Sequence, residues 1–187
     1  MTRRTFLHAS PERFIVGTVG IPGERTFFIQ VRSPLSTTAV VVEKSQVETL
    51  ATRIQEIIKD IRRGGIASHD ELNLSIPRDN GALEFPLDEE FRVAIIGLLW
   101  SQEEQRLILE FQAVADSEIE DLLTEDEAQL IEDAPDVLVV HLRIAQARSF
   151  AERALSLVSA GRQPCMFCGL PINADGHLCP RANGYRR

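Results

Sequence analysis

Short runs of apolar and β-branched residues alternate with turn residues over the first 43 positions. The runs RFIVGTV and RTFFIQV flank GIPGE, whose glycine and proline residues favour a tight turn, so they predict a β-hairpin, and TTAVVVE predicts a third strand. From Val47 to Ile61 the apolar residues instead recur three or four positions apart, which predicts an amphipathic helix. Ser45 and Glu48 form a capping-box pattern at its start, and Gly64 occupies the position of a C-terminal cap.

The second half of the chain repeats this order of elements. The runs RVAIIGLLW and QRLILEFQAV predict another hairpin, DVLVVHL predicts a strand, and AQARSFAERALSLVSA predicts a helix. The two hairpins align when the first half is shifted by 80 positions, which places Gly17 on Gly97. The third strands and the helices align with a shift of 100, which places Arg53 on Arg153. The acidic segment 116–136 accounts for this difference as a single insertion. We interpret the two halves as an internal duplication, with chance similarity between two β-rich segments as the alternative.

A unit of three strands and one helix cannot cover both faces of its own hairpin, so two units are expected to share a sheet. The predicted fold class is α+β, with internally duplicated strand-strand-strand-helix units in one sheet of about six strands, two helices on one face and pseudo-two-fold symmetry. A small C-terminal zinc-ribbon or knuckle module follows. The predicted segments are a first repeat unit (1–64), an extended connector (65–90), a second repeat unit (91–161) that carries the acidic insert 116–136, and the zinc module with its basic tail (162–187).

Charge is distributed unevenly along the 187 residues, which carry a net charge of −8. Residues 161–187 contain four arginines and one acid, which leaves 16 of the 20 basic and 27 of the 28 acidic residues in the first 160. The insert 116–136 alone holds ten acids and no Lys or Arg. A body this acidic repels phosphates, so it disfavours binding of duplex nucleic acid, and only the tail is suited to anions.

The sequence also bears on the cellular compartment. No apolar run reaches the length of a membrane span, and the N-terminal MTRRTFLHASPERF lacks the apolar core of a secretory signal. The number of cysteines, three, is odd, which argues against a disulfide framework and favours a reducing compartment. We therefore expect a cytoplasmic protein.

All three cysteines lie in the last 23 residues, together with a histidine. Cys165, Cys168, His177 and Cys179 follow the spacing C-x2-C-x8-H-x-C, in which each close pair can hold one ion from a tight turn. Three thiolates and one imidazole form a closed tetrahedral shell, which is typical of structural Zn²⁺ and leaves no position for a catalytic water. A redox-active dithiol and a metal-free segment are the alternatives. We predict structural zinc, because so short a tail has too little apolar surface to fold without a metal.

Three stretches together resemble a conserved actinobacterial family of unknown function. They are ERFIVGTVGIPGERTFFIQ, LRIAQARSFAERALSLVSAGR and CMFCGLPINADGHLCPRANGYRR, and the resemblance covers nearly the whole chain apart from the insert and the connector. It supports the domain plan and implies a four-ligand zinc motif in which Cys165, Cys168, His177 and Cys179 occupy the ligand positions. It implies no activity.

The remaining residue patterns supply no catalytic constellation. GTVGIPG lacks the Lys and Ser/Thr of a phosphate-binding loop and lies within a hairpin, so its glycines are interpreted as turn residues. His8 and His69 are expected in loops, and His141 is expected on a strand as a partly buried imidazole. No serine lies in a nucleophile elbow, and the cysteines are assigned to the metal.

The final residues PRANGYRR are the most distinctive predicted surface feature. Arg181, Tyr185, Arg186 and Arg187 are suited to bind a phosphate, an acidic peptide or single-stranded nucleic acid, or else to dock on the acidic body of the protein itself. The leading hypothesis is therefore a non-enzymatic binding or adaptor protein, whose zinc module positions a basic tail for an anionic or protein partner.

Two other classes of function are consistent with the sequence. In the first, an enzyme or a regulatory subunit binds a phosphorylated ligand at the repeat interface through Arg53 and Arg153, which the offset makes equivalent. In the second, the tail binds nucleic acid, which the charge of the body disfavours.

Overall fold

The computed structural model describes residues 3–21, 23–114, 134–160, 165–169, 172 and 178–181. These residues form a mixed α+β fold with one seven-stranded sheet and three helices. The strands are β1 (Thr5–His8), β2 (Arg13–Val19), β3 (Thr26–Ser33), β4 (Ser36–Val42), β5 (Glu89–Ser101), β6 (Arg106–Ala113) and β7 (Val137–Leu142). The helices are α1 (Lys44–Gly64), α2 (His69–Asn73) and α3 (Ile144–Ser159).

The strand order β1-β7-β6-β5-β4-β3-β2 keeps each predicted set of three strands together in the sheet. Within each set the strands are antiparallel, and the sets join where β4 pairs with β5 in parallel. Here the third strand of one set meets the first strand of the next, so the two sets follow each other head to tail across the sheet. The pseudo-two-fold symmetry expected from the sequence stays a prediction.

Both long helices pack on the same apolar cluster as the strands. The periodic residues of α1 are buried as predicted, from Val47 to Ile61, and the rings of Phe14 in β2 and Phe150 in α3 lie 4.4 Å apart. The N terminus of α1 is capped two residues earlier than the predicted cap at Ser45. Its N-cap is Glu43, whose backbone N–H donates to the side-chain oxygen of Gln46 at 2.8 Å.

The N terminus of α3 is built in the same way as that of α1. The backbone N–H of Arg143 donates to the side-chain oxygen of Gln146 at 3.0 Å, and the Gln146 amide nitrogen donates to the carbonyl of Pro11 at 2.8 Å. The amide nitrogen of Gln46 likewise donates to carbonyls of β5. In both helices one glutamine therefore satisfies the cap and attaches the helix to another segment, which is β5 for Gln46 and the loop before β2 for Gln146.

The two ends of the sheet approach each other. Strands β1 and β2 stand at opposite ends of the strand order, yet only residues 9–12 separate them along the chain, so the sheet must curl. His8 lies where the edges meet, with Nδ1 2.7 Å from the hydroxyl of Ser33 and Nε2 2.9 Å from that of Thr38. His8 was predicted in a loop, but it ends a short strand that the sequence analysis missed and is 98% buried (relative exposure 2%).

The connector crosses the sheet face opposite the helices. Leu83 packs there with Ile15, Phe28 and Val41. The side-chain nitrogen of Gln30 donates to the carbonyl of Glu84, and its side-chain oxygen accepts from the N–H of Glu84, each at 2.9 Å. The connector is not extended throughout, because His69, which was predicted in a loop, begins the short helix α2. Nowhere in the described part of the chain does a helix have the length and apolar character needed to cross a membrane.

Candidate metal centre

Three thiols converge near the C terminus. The sulfur atoms of Cys165, Cys168 and Cys179 all lie within 4.8 Å of one another, and those of Cys165 and Cys179 are 3.7 Å apart. Among the described residues these three cysteines form no disulfide, and Cys165 and Cys179 are buried. The sequence spacing therefore corresponds to a real cluster in space.

Backbone hydrogen bonds stabilise the turn from Cys165 to Gly169, which contains the first two cysteines. The N–H of Gly169 donates to the carbonyl of Cys165 at 2.8 Å, and Gly169 has a φ of +76°, a conformation that glycine adopts without steric cost. The N–H of Phe167 donates to the sulfur of Cys165 at 3.4 Å. Backbone N–H groups of Phe167 and Cys168 thereby lower the pKa of the Cys165 thiol, because they stabilise the thiolate.

The spacing of the thiols fits a tetrahedral metal ion. Two thiolates bound to Zn²⁺ at about 2.3 Å with tetrahedral angles have sulfur atoms about 3.8 Å apart. The observed separation of 3.7 Å between the Cys165 and Cys179 sulfurs matches that value and is far longer than a disulfide bond. The three cysteines thus supply three ligands of a possible metal site, and His177 lies outside the described residues.

The described residues next to the cysteines present an apolar surface. Met166 is 87% exposed, Phe167 58% and Leu178 88%, although residues of this kind are normally buried. Arg181 borders this surface, and its guanidinium donates to the carbonyl of Phe167 at 3.0 Å. Of the four predicted tail residues only Arg181 is described; Tyr185, Arg186 and Arg187 lie outside the described residues.

The two arginines that the repeat makes equivalent have different environments. The side chain of Arg53 is 64% exposed and pairs with Glu56, one turn away on α1, at 2.6 Å. The side chain of Arg153 is only 12% exposed, and its guanidinium donates to the carbonyls of Val16, Asp79 and Gly81. The two side chains therefore contact different parts of the fold, and they do not converge on one ligand site.

Arg153 belongs to a charged cluster that holds the connector against β2. Arg13 donates to both carboxylate oxygens of Asp79, at 2.6 and 3.0 Å, and to Glu84 at 3.1 Å. The hydrogen bonds from Arg13 hold the pKa of Asp79 at about 2. Burial lowers the pKa of Arg153. The charges of Arg13 and Arg78 lower this pKa further, whereas the charge of Asp79 raises it. All of this hydrogen-bonding capacity is directed at the protein's own backbone and carboxylates.

Comparison with known proteins gave one family. The model of the family described as "protein of unknown function (DUF3090)" matches residues 6–179. No curated protein and no solved structure matches the chain.

Proposed function

Because the chain belongs to the DUF3090 family of proteins of unknown function, we propose that it is a non-enzymatic, zinc-containing binding or adaptor protein. The observation that carries the proposal is the cluster of three thiols, which lies beside an exposed apolar surface. In this proposal the metal is structural and organises a recognition surface at the C terminus. The protein acts in the cytoplasm, where reduced thiols persist.

The proposed ion is Zn²⁺ held by Cys165, Cys168, Cys179 and His177. Three thiolates and an imidazole complete a tetrahedral shell, and the backbone N–H donors around Cys165 favour the thiolate form that binds metal. The separation of 3.7 Å between the Cys165 and Cys179 sulfurs supports a metal over a disulfide. A complete protein shell has no open position for a substrate, which is why the site is assigned to folding and not to catalysis.

The proposed recognition surface consists of Met166, Phe167 and Leu178 with the basic tail. Large exposed apolar side chains clustered on a small module are typical of interaction sites. Arg181 borders this surface, and Tyr185, Arg186 and Arg187 follow it in the sequence. The combination suits a protein partner or ligand that offers both apolar and acidic groups, whereas duplex nucleic acid is disfavoured by the charge of the body.

The body serves in this proposal as a duplicated scaffold for the zinc module, with the repeat units, connector and tail divided as the sequence predicts. The head-to-tail order of the two three-strand sets and the matching roles of Gln46 and Gln146 at the helix starts support a duplication. The alternative of a phosphorylated ligand at the repeat interface has less support, since Arg153 already bonds three backbone carbonyls.

Elemental analysis of the full-length protein, purified without an added metal-binding tag, tests the metal. We expect one zinc per chain, lost in Cys165→Ser and Cys168→Ser, weakened in His177→Ala and retained in the control His69→Ala. A folded, fully reduced wild-type protein without stoichiometric metal would contradict the proposal.

Crosslinking in the native cell followed by reconstitution from purified components tests the recognition surface. The partner identified should bind the purified wild-type chain directly and should bind at least tenfold more weakly to a Met166→Ser/Phe167→Ser variant that retains its zinc. Deletion of Arg186 and Arg187 is expected to weaken the same complex. Undiminished binding by both variants would contradict the assignment of this surface to partner recognition.

A further inference from the structure

Strand β5 is longer than the strand that pairs with it on one side. On the side of β6, pairing runs from Val93 to Ser101, along nearly the whole strand. On the side of β4, the paired positions are Glu89 and Arg92 alone. Residues 94–101 of β5 therefore have one strand neighbour, and among the described residues no strand occupies their other side.

The open side begins at a defined residue. The amide nitrogen of Gln46 donates to the carbonyls of Val93 and Ala94, at 3.1 and 3.2 Å, and so replaces a strand at that point. Beyond it no backbone hydrogen bond links residues 95–101 to any described residue other than those of β6 and the hairpin turn. In an antiparallel pair alternate residues direct their N–H and C=O away from the partner, so these groups remain available along the open side.

The edges of the sheet at β1 and β2 are protected against pairing with a further strand, whereas the segment 94–101 lacks the same protection. At β2, Arg153 donates to the outward carbonyl of Val16, and at β1 the strand is four residues long and bordered by Arg4, which pairs with Asp136 at 2.6 Å. Short strands and charged side chains are the usual means of preventing edge pairing. The segment 94–101, AIIGLLWS, contains no charged residue and no proline.

A groove runs between the same segment and α1. Because β4 leads directly into α1, the helix lies on the side of β5 that has no strand partner. The groove has a volume of about 470 Å³, within the range of natural ligand sites. Its lining combines apolar and polar side chains: Ser45, Gln46, Thr49, Leu50, Arg53, Ile57, Ala94, Ile96 and Leu98.

We propose that this groove binds an extended peptide segment of a partner protein, which pairs with β5 as an additional strand. Main-chain hydrogen bonds to the open edge would supply affinity, as in other domains that recognise peptides by strand addition. Alternate apolar side chains of the peptide enter the groove against Ile96 and Leu98, and an acidic group pairs with Arg53, which is exposed on the helical side. The groove is bounded by α1, so it accommodates one strand and not the edge of a second folded sheet.

This proposal deepens the proposed binding function, because it assigns a second recognition site and a class of partner. It does not depend on the metal, since no residue of the thiol cluster lines the groove. A purified protein without zinc would contradict the proposed metal site but should still bind the peptide. Failure of the metal proposal is therefore distinguishable from failure of the groove proposal.

Selection of a phage-displayed library of random decapeptides on the full-length protein tests the groove. We expect enrichment of sequences with apolar residues at alternate positions and an acidic residue, confirmed with a synthetic peptide by fluorescence polarisation. Leu98→Lys should weaken binding at least tenfold, whereas Leu99→Lys, on the opposite face of the same strand and 48% exposed, should change it less than twofold. Failure to enrich any peptide, or equal loss in both variants, would overturn the proposal.

A second pair of variants avoids the sheet. Thr49→Trp fills the groove from an exposed helix position and should abolish binding, whereas Thr52→Trp, exposed on α1 outside the groove, should not. Bound peptide should also slow amide hydrogen exchange of residues 95–101. Binding without this protection would exclude strand addition, and a dimer that Leu98→Lys dissociates in light scattering would identify a second copy of the chain as the occupant instead.

Discussion

At the level of single residues, Arg53 and Arg153 illustrate how equivalent sequence positions acquire different roles. Both follow the same helical pattern, but Arg53 is exposed beside Glu56 whereas the buried guanidinium of Arg153 satisfies three carbonyl oxygens. Buried carbonyls that lose a charged donor are left unsatisfied, which is costly, whereas an exposed ion pair contributes little. The sequence could identify the equivalence, but not which of the two arginines would face the connector.

Replacing each arginine by alanine tests this difference. Arg153→Ala is expected to reduce the free energy of unfolding by about 2–4 kcal/mol, because it leaves three backbone carbonyls without their charged donor. Arg53→Ala should change it by less than about 0.5 kcal/mol. Urea denaturation followed by circular dichroism measures both values. Similar losses in the two variants would show that Arg153 is not holding the connector.

His8 gives a pH-dependent prediction at the same scale. Burial lowers the pKa of His8 below 6.5, so the unfolded chain takes up a proton that the folded chain resists. The stability that His8 contributes is therefore present above pH 6.5 and is lost as the pH falls below it. Thermal melts between pH 7.5 and 5 should show this loss in the wild type and in the exposed-site control His69→Gln. In His8→Gln the loss of thermal stability between pH 7.5 and 5 should be smaller. An unchanged loss would show that a group other than His8 causes it.

At the level of elements, two equivalent glycines in strands have different neighbours. A Cβ at Gly17 in β2 would lie 2.5 Å from Cγ of Leu83, because the connector packs directly on the strand there. A Cβ at Gly97 in β5 would have its nearest contact at 3.5 Å, which is ordinary packing. Gly17 was interpreted as a turn residue, but the structure places it within β2, beneath Leu83.

Alanine at these two positions tests the packing of the connector. Gly17→Ala is expected to cost about 1–3 kcal/mol, as overpacking of a filled site usually does, and Gly97→Ala less than half of that. Truncation of Leu83 should recover part of the loss, so that Gly17→Ala/Leu83→Ala is less destabilised than the sum of its single variants. Denaturant titration of the four proteins completes the cycle. Strict additivity would show that the two side chains do not meet.

Local periodicity was sufficient to predict most elements but not their arrangement. The run of apolar and β-branched residues in RFIVGTV predicted a strand, the helical spacing after Val47 predicted a helix, and both are confirmed. The parallel junction of β4 with β5 depends on contacts between distant segments, which no local pattern encodes. Strand β1 was missed because four residues carry too little periodicity, and the start of α1 was misplaced because Gln46 caps it from inside the helix.

At the level of the whole molecule, the candidate sites differ in how far the sequence reveals them. Metal ligands that lie close together in the chain can be recognised from their spacing. The spacing of Cys165, Cys168 and Cys179 was therefore informative, and the cluster is observed. The groove beside β5 was not foreseen, because an open edge exists only relative to the lengths of the neighbouring strands. Its single sequence signal is the uncharged run AIIGLLWS, which also fits a buried strand.

The separation of the thiols from the main apolar cluster predicts that the metal stabilises the tail and not the body. Among the described residues, that cluster is formed by the strands, helices and connector, and none of the three cysteines belongs to it. Removal of metal by a chelator, or Cys165→Ser, should therefore abolish protection of residues 165–181 in hydrogen exchange and sensitise them to proteolysis. The thermal midpoint of the body should shift by less than about 2 °C, since about 1 kcal/mol corresponds to a shift of about 2–4 °C in a domain of 150–250 residues. A cooperative loss of the whole fold on chelation would mean instead that the metal joins the tail to the core.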